Sequence, residues 1–310
     1  MDRPSIHVVI VNWNSGTQLK ECLQSFATVA ADAVMVRLTV VDNASVDGSC
    51  EGLEGVTSTP PAIIRNADNR GFGAACNQGA AGSDADYLLF LNPDTRLMAG
   101  SLELPARYLQ APEHKAVGIA GIQLRDVDGH VARNTARTPT AWSAFGTSLG
   151  LDRLMPSLFP PHFVTEWAHD ETQTVDQVMG AYFLVRRALF EVLGGFDERF
   201  FVYYEDLDFS VRAQAQGFSS VYLATAQAFH RGQGTTENAT ARRMFYFARS
   251  KILYALKHFS AFGAFAVIAA TLTLEPLARM LARPKSAGET LRAFANVWKN
   301  LPNMLRARQD

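Results

Sequence analysis

Runs of apolar residues alternate with polar breaks from Ile6 to His230. Ile6-His7-Val8-Val9-Ile10-Val11 is the first run, Val36 to Val41 the second and Ile63-Ile64 a short third. Leu88-Leu89-Phe90-Leu91, led by Tyr87, is the fourth. Short, continuously apolar runs of this kind predict strands buried on both faces. Between the first two, Leu19, Cys22, Leu23 and Phe26 recur at helical spacing, and a small-residue helix containing Asn77 precedes the fourth. Strand–helix alternation predicts an α/β fold with a parallel, right-handed, Rossmann-like sheet.

Each predicted strand delivers polar residues at its carboxyl end. The first ends in Asn12-Trp13-Asn14, the second in Asp42 and the third leads to Arg70-Gly71. The fourth ends in Asn92-Pro93-Asp94. Asn-Pro-Asp alone is ordinary turn chemistry. Four such ends on one sheet edge, where open α/β sheets bind ligands, mark a candidate site. The glycines of Arg70-Gly71-Phe72-Gly73 invite a dinucleotide reading. However, Cys76 stands where a third small residue is needed, and the motif follows the third strand instead of the first.

The later chain reads less evenly. A helix over 101–110 and a strand over 117–124 precede Asp126-Val127-Asp128-Gly129, which reads as a hairpin turn. Residues 138–174 lose periodicity around Pro139, Pro156, Pro160 and Pro161 and form a long excursion. Order returns at 175–185, which contains Gly180, then a helix over 187–193 closed by Gly194-Gly195. Asp197 follows, then a helix over 205–216 whose first turn holds Glu205, Asp206 and Asp208. Acids there also suit the positive end of a helix dipole. A strand at 221–223 leads to Phe229-His230.

Composition narrows the classes. A 310-residue chain with 48% hydrophobic residues and 19% charged residues is a folded protein of one or two domains. Its net charge of -1 supplies no argument for a nucleic-acid partner. Cys22, Cys50 and Cys76 are too few and scattered for a disulfide framework or zinc site, which favours a reducing compartment. Residues 1–5 enter the first strand with no apolar leader, so a cytoplasmic location is expected.

Seven blocks, in order, resemble a family 2 inverting glycosyltransferase of the GT-A fold, in particular its bacterial rhamnosyltransferase-like branch. They are Val9–Asn14, Val40–Ser49, Asn69–Gly73, Leu91–Asp94, Gly194–Glu198, Glu205–Asp208 and His230. The resemblance implies a mostly parallel central sheet flanked by helices. Residues 1–240 would form the catalytic domain, with 1–125 as the nucleotide-sugar half and 126–240 as the acceptor half. A C-terminal helical extension would occupy 241–310. Asn12, Trp13, Asn14, Asp42, Arg70, Gly71, Asn92 and Asp94 would hold the nucleotide-sugar, although Trp13 serves core packing equally well. Asp94 and His230 would hold a divalent cation, Mg2+ or Mn2+. Gly180 and Asp197 would lie on the acceptor side. Asp206 would be the general base, with Glu205 the alternative and with Glu205 and Asp208 raising its pKa. Asn92 departs from the Asp found at that position in many family members and brings no charge. The implied reaction moves a deoxyhexose, L-rhamnose from dTDP-L-rhamnose, onto a lipid-linked or polysaccharide acceptor. A UDP-sugar donor, a non-catalytic nucleotide-sugar-binding partner and a nucleotidyltransferase are the alternatives.

After Lys257 and His258, residues 259–274 carry no charge, and Glu275-Pro276 is expected to stop the run short of the roughly 20 residues a spanning helix needs. Residues 276–310 hold seven Lys/Arg against Glu289 and Asp310, a net +5. An apolar run followed by basic residues suits a helix lying on the anionic inner face of the cytoplasmic membrane. A cap on the catalytic domain or a homodimer contact is the alternative.

Overall fold

The computed structural model describes residues 3–28, 33–58, 60–232 and 240–306. Chain contacts divide it into two units. The first comprises Met1–Ala136, Val164–Glu198 and Asp206–Thr235; the second comprises Arg137–Phe163, Arg199–Glu205 and Thr236–Asp310.

In the first unit β1 (Ser5–Asn12), β2 (Met35–Asp42), β3 (Ala62–Arg65) and β4 (Tyr87–Leu91) lie side by side in the order β3-β2-β1-β4, all parallel. Val8, Val9, Ile10, Leu89 and Phe90 are fully buried, as both-face burial of continuous apolar runs requires. Helix α1 (Gln18–Ser25) buries Leu19, Cys22 and Leu23. Helix α2 (Phe72–Ala80) crosses close to the sheet, and a Cβ at Gly79 would fall 2.9 Å from Val41 Cγ2. The small residues of that helix thus set how near it can lie.

The remaining strands are β5 (Thr95–Leu97), β6 (Val117–Arg125), β7 (Thr135–Ala136), β8 (Gln173–Val175), β9 (Gln177–Val178), β10 (Tyr182–Arg186) and β11 (Ser219–His230). β10 enters antiparallel between β4 and β6, β11 runs parallel to β6, and β5 and β8 pair antiparallel with β11. The sheet has nine strands, and β1–β4, β6 and β11 share one direction, so it is mostly parallel. β7 and β9 form a separate small ladder. Helices α3 (Glu103–Gln110), α6 (Arg187–Val192) and α7 (Glu205–Ala215) flank the sheet, with α7 reaching back by one residue into the second unit. Strand β11 is much longer than the expected 221–223, because a bulge between Leu223 and Gln227 lets it continue to His230.

The second unit is helical. The excursion supplies α4 (Ala141–Ser148), opened by a Thr140–Ser143 capping box, and α5 (Leu151–Leu154). The C-terminal region supplies α8 (Thr240–His258), α9 (Ala261–Ala269), α10 (Glu275–Ala282) and α11 (Ala287–Arg306). Ala144, Ala255, Ala264 and Val267 form one buried cluster among them. The expected stop at Glu275-Pro276 does not occur. A π-turn over Ala270–Leu274 joins α9 to α10, and the helix continues to Ala282. Pro276 sits at the start of α10, where its missing N–H costs little. Glu275 is 4% exposed and bonded to Lys251, which also donates to Ser148 Oγ at 2.9 Å, and to Arg279 at 2.7 Å. Burial would raise its carboxyl, but the Lys251 and Arg279 charges outweigh that and hold it low.

Candidate active site

The carboxyl ends of β1 and β2 are tied by Asn12. Its side chain is fully buried, with Nδ2 within reach of Asp42 Oδ1 at 3.0 Å, Ser45 Oγ at 3.0 Å and Ser49 Oγ at 2.9 Å, while Ser15 donates to Oδ1. Asn12 therefore braces the 42–49 loop from inside. Asn14, in the left-handed region with φ 51°, accepts from Val46 N at 2.8 Å, and Ala44 is also left-handed with φ 62°. Strain of this kind collects at binding loops. Trp13 and Asn14 are half-buried. Asp42 is 5% exposed, and Arg65 lies 4.0 Å from it while donating to Cys50 O. Burial, then the Asp42 charge, pushes the Cys50 thiol up to about 12.

Gly71 opens α2 with φ 88°, and its N–H is held by Asn69 Oδ1 at 2.9 Å. Asn43 Nδ2 donates to Gly71 O at 3.0 Å, so the second and third strand ends are linked, and Arg70 is exposed beside them.

Asp94 and His230 come together because β5 pairs with the end of β11, His230 opposite Thr95. His230 Nε2 lies 3.3 Å from Asp94 Oδ1, and Arg231 N donates to Asp94 O at 3.1 Å. Both side chains are mostly buried. An oxygen and an imidazole nitrogen at this distance form a donor pair that fits a divalent cation. Burial and the Asp94 charge push the Cys22 thiol upward beneath them.

Asp206, in the first turn of α7, accepts from Gly180 N at 2.9 Å on Oδ2 and from Leu207 N at 2.8 Å on Oδ1. The buried Gln177 side chain also hydrogen-bonds it. Burial raises the Asp206 carboxyl above the ordinary aspartate range, against these three donors. The acidic neighbours are not the leading cause: Asp208 is fully buried and bonded to Arg212 Nε at 2.8 Å. Glu205 is buried. Immediately before it, Tyr203 and Tyr204 are both left-handed, at φ 66° and 71°.

One dipeptide joins the two clusters. Ala181 O accepts from Asn92 N at 3.1 Å and from Thr95 Oγ1 at 3.3 Å, while the adjacent Gly180 N donates to Asp206. The turn around Asp94 and the α7 carboxylate are therefore held by backbone groups of two adjacent residues. Asp197 is half-buried in the Gly194–Glu198 turn, and Asn77 clamps both backbone groups of Phe196 there, at 2.8 and 2.9 Å.

Sequence reading missed Gln177, Arg65 and Asn77. A polar residue inside an apolar run was the available signal for Gln177. Arg65 and Asn77 carried none, because their partners are distant in sequence. The Asp126–Asp128–His130 cluster has ligand atoms within 4.8 Å of one another. Asp126 Oδ1 accepts from Asp128 N at 3.0 Å and from His130 N at 2.9 Å, which is the expected turn chemistry.

A nine-stranded, mostly parallel sheet with polar groups converging at its carboxyl edge is the architecture of a GT-A glycosyltransferase. The chain belongs to Glycosyl transferase family 2, whose sequence pattern matches residues 7–194, and is a glycosyltransferase. It is 29% identical over 240 residues to the N-acetylglucosaminyl-diphospho-decaprenol L-rhamnosyltransferase of Mycobacterium tuberculosis, covering 72% of this chain and 75% of that one. It is 25% identical over 232 residues to the Escherichia coli rhamnosyltransferase WbbL, covering 73% and 83%. Among solved structures it resembles the Pyrobaculum calidifontis mannosyltransferase PcManGT in complex with GDP-Man and Mn2+, with TM-score 0.56, 16% identity and coverage of 96% and 76%. It also resembles GalNAc-T7 with UDP, GalNAc and Mn2+, with TM-score 0.57, 15% identity and coverage of 82% and 51%.

Proposed function

We propose that this glycosyltransferase moves L-rhamnose from dTDP-L-rhamnose, with inversion, onto a lipid-linked glycan in cell-envelope synthesis, working at the cytoplasmic side of the membrane. The rhamnosyltransferase names of two relatives support the sugar, and the diphospho-decaprenol acceptor in the name of the mycobacterial one supports a lipid-linked acceptor. The observation that supports the chemistry is the Gly180-Ala181 segment, where Gly180 N holds Asp206 while Ala181 O holds Asn92 N and Thr95 Oγ1 on either side of Asp94.

Asp42 and the loop braced by Asn12 line the nucleoside end, with Arg65, Arg70 and the Gly71 turn beside it. Asp94 and His230 would hold a divalent cation, which when bound supplies charge neutralisation for the departing diphosphate. Asp206 takes the proton of the acceptor hydroxyl as that oxygen attacks the anomeric carbon. The bond to the diphosphate breaks on the opposite face, so one base suffices and no covalent nucleophile is needed. Burial suits Asp206 to this role, because a carboxylate of raised pKa is the stronger base.

Donor-dependent release of dTDP tests the assignment. It is expected to be lost in Asp94→Ala, together with any stimulation by Mn2+ or Mg2+. UDP-glucose, UDP-galactofuranose and UDP-N-acetylglucosamine are expected to be poor donors. Full activity in Asp94→Ala, or turnover of a UDP-sugar in preference to dTDP-L-rhamnose, refutes it.

A further inference from the structure

The helix Ala261–Ala282 carries an outward apolar ridge. Phe262 is 82% exposed, Phe265 71% and Leu281 83%, with Leu274 and Leu277 also open to solvent. In an uninterrupted α-helix these two groups would point in different directions, since each residue turns the chain by about 100°. The π-turn at Ala270–Leu274 winds more slowly over its five residues, and by helix geometry this lag turns Leu274, Leu277 and Leu281 back toward the side of Phe262 and Phe265. The same π-turn buries Ala270, Thr271 and Leu272, so it serves the interior and the outer row together. Solitary exposed apolar residues need no explanation, whereas an aligned row of five marks a contact surface.

Charge beside the ridge indicates what it meets. Arg283 and Lys285 follow at its end, both exposed. The pattern repeats on α11, where Leu291, Trp298 and Leu305 are exposed at seven-residue intervals, each followed directly by an exposed cation: Arg292, Lys299 and Arg306. A neighbouring face of α11 is buried through Phe294, Val297 and Met304.

By length and composition Ala261–Ala282 could cross a bilayer. Its inner side argues otherwise. Val267 and Ala264 belong to the buried cluster with Ala144 and Ala255, and Glu275 is locked to Lys251. Spanning would strip these contacts and carry a carboxylate into hydrocarbon.

We propose that the Phe262–Leu281 ridge lies in the surface of an anionic bilayer, apolar side chains inserted and the neighbouring cations on phosphate headgroups. This deepens the proposed function by naming the surface that would bring the enzyme to a lipid-borne acceptor. It rests on that reading for its purpose alone, since vesicle binding is measured without turnover.

The full-length protein is sedimented with vesicles of phosphatidylcholine alone and of phosphatidylcholine mixed with phosphatidylglycerol. Binding is expected to the mixed vesicles only and to be reversed by high salt. Phe262→Ser with Phe265→Ser should weaken it by about tenfold per side chain. Arg283→Gln with Lys285→Gln should weaken it by about 25-fold, from roughly fivefold per charge. Unchanged thermal unfolding and donor binding in these variants show that the fold is kept. The proposal is overturned if the mixed vesicles do not bind, or if the double Phe variant binds as wild type. Resistance to alkaline extraction overturns it in favour of a spanning helix. Self-association abolished by the Phe substitutions overturns it in favour of a second copy of the chain. Vesicle binding without rhamnosyl transfer leaves this surface standing and removes only the donor and acceptor assignment.

Discussion

Replacing Asp206 by Asn separates catalysis from folding at this site. The carboxylate offers two oxygens, and each faces a backbone donor, Gly180 N at 2.9 Å and Leu207 N at 2.8 Å. An amide keeps one acceptor and must turn its NH2 toward the other N–H. Leaving one donor unpaired costs about 1–3 kcal/mol. Part of this is offset, because the amide carries no charge to desolvate, and desolvation is what raises the Asp206 pKa. The variant should therefore fold, with stability lowered by no more than about 2 kcal/mol. Loss of a general base slows the chemical step by about 10²–10⁴-fold, or roughly 3–5 kcal/mol of barrier. The expected result is collapse of dTDP release at saturating donor, with donor affinity by calorimetry near wild type. In wild type the rate should fall as pH drops through the raised pKa of Asp206, because the protonated acid accepts no proton. Gln177→Leu removes a donor to the ionised form, so the acid limb should move to still higher pH. Retention of more than about a tenth of the rate in Asp206→Asn, far above what base loss permits, refutes the reasoning. So does an acid limb that Gln177→Leu leaves in place.

Two further outcomes follow from buried charge. His7 is fully buried in β1 with Nε2 2.8 Å from Thr39 Oγ1, and burial, then Arg37, lowers its pKa to about 4. The unfolded chain takes up this proton near pH 6.5 and the folded chain only near pH 4, so stability is complete above 6.5 and falls as pH drops between them. The loss should approach about 3 kcal/mol in urea titrations; an unchanged slope in His7→Gln removes His7 as its source. Lys251→Met should destabilise the C-terminal helices by about 3 kcal/mol, since Glu275 is left buried with Arg279 alone. Lys251→Met with Glu275→Leu should regain most of that, and unfolding of the single variant at the wild-type midpoint contradicts the pairing.

The elements that position the site were legible where the signal is local. Strands β1, β2 and β4 show as apolar runs because both sheet faces are covered there, whereas the short β3 is mostly exposed, and their polar ends show because little else interrupts those runs. Helices α3, α6 and α7 lie within two residues of the expected spans. Pairings distant in sequence left no trace. Nothing in Tyr182–Arg186 says that it runs antiparallel between β4 and β6, and nothing near Glu275 announces Lys251 as its counter-ion. Asn12 was legible as a residue at a strand end, but not as an internal brace, because that depends on Ser45 and Ser49 folding over it. The helix through Pro276 was misread for a related reason: the π-turn that accommodates it is a packing outcome with no sequence marker.

The peptide at 180–181 bears on stereochemistry. Inversion depends on the line from attacking oxygen through anomeric carbon to leaving group; under the proposed assignment Gly180 N would hold the base and Ala181 O the turn that carries Asp94. Under that assignment, side chains around the sugar would be exchangeable without moving these two anchors. Variation of the pocket would then change which sugar is handled while leaving the configuration of the new bond untouched, a division of labour written into the backbone.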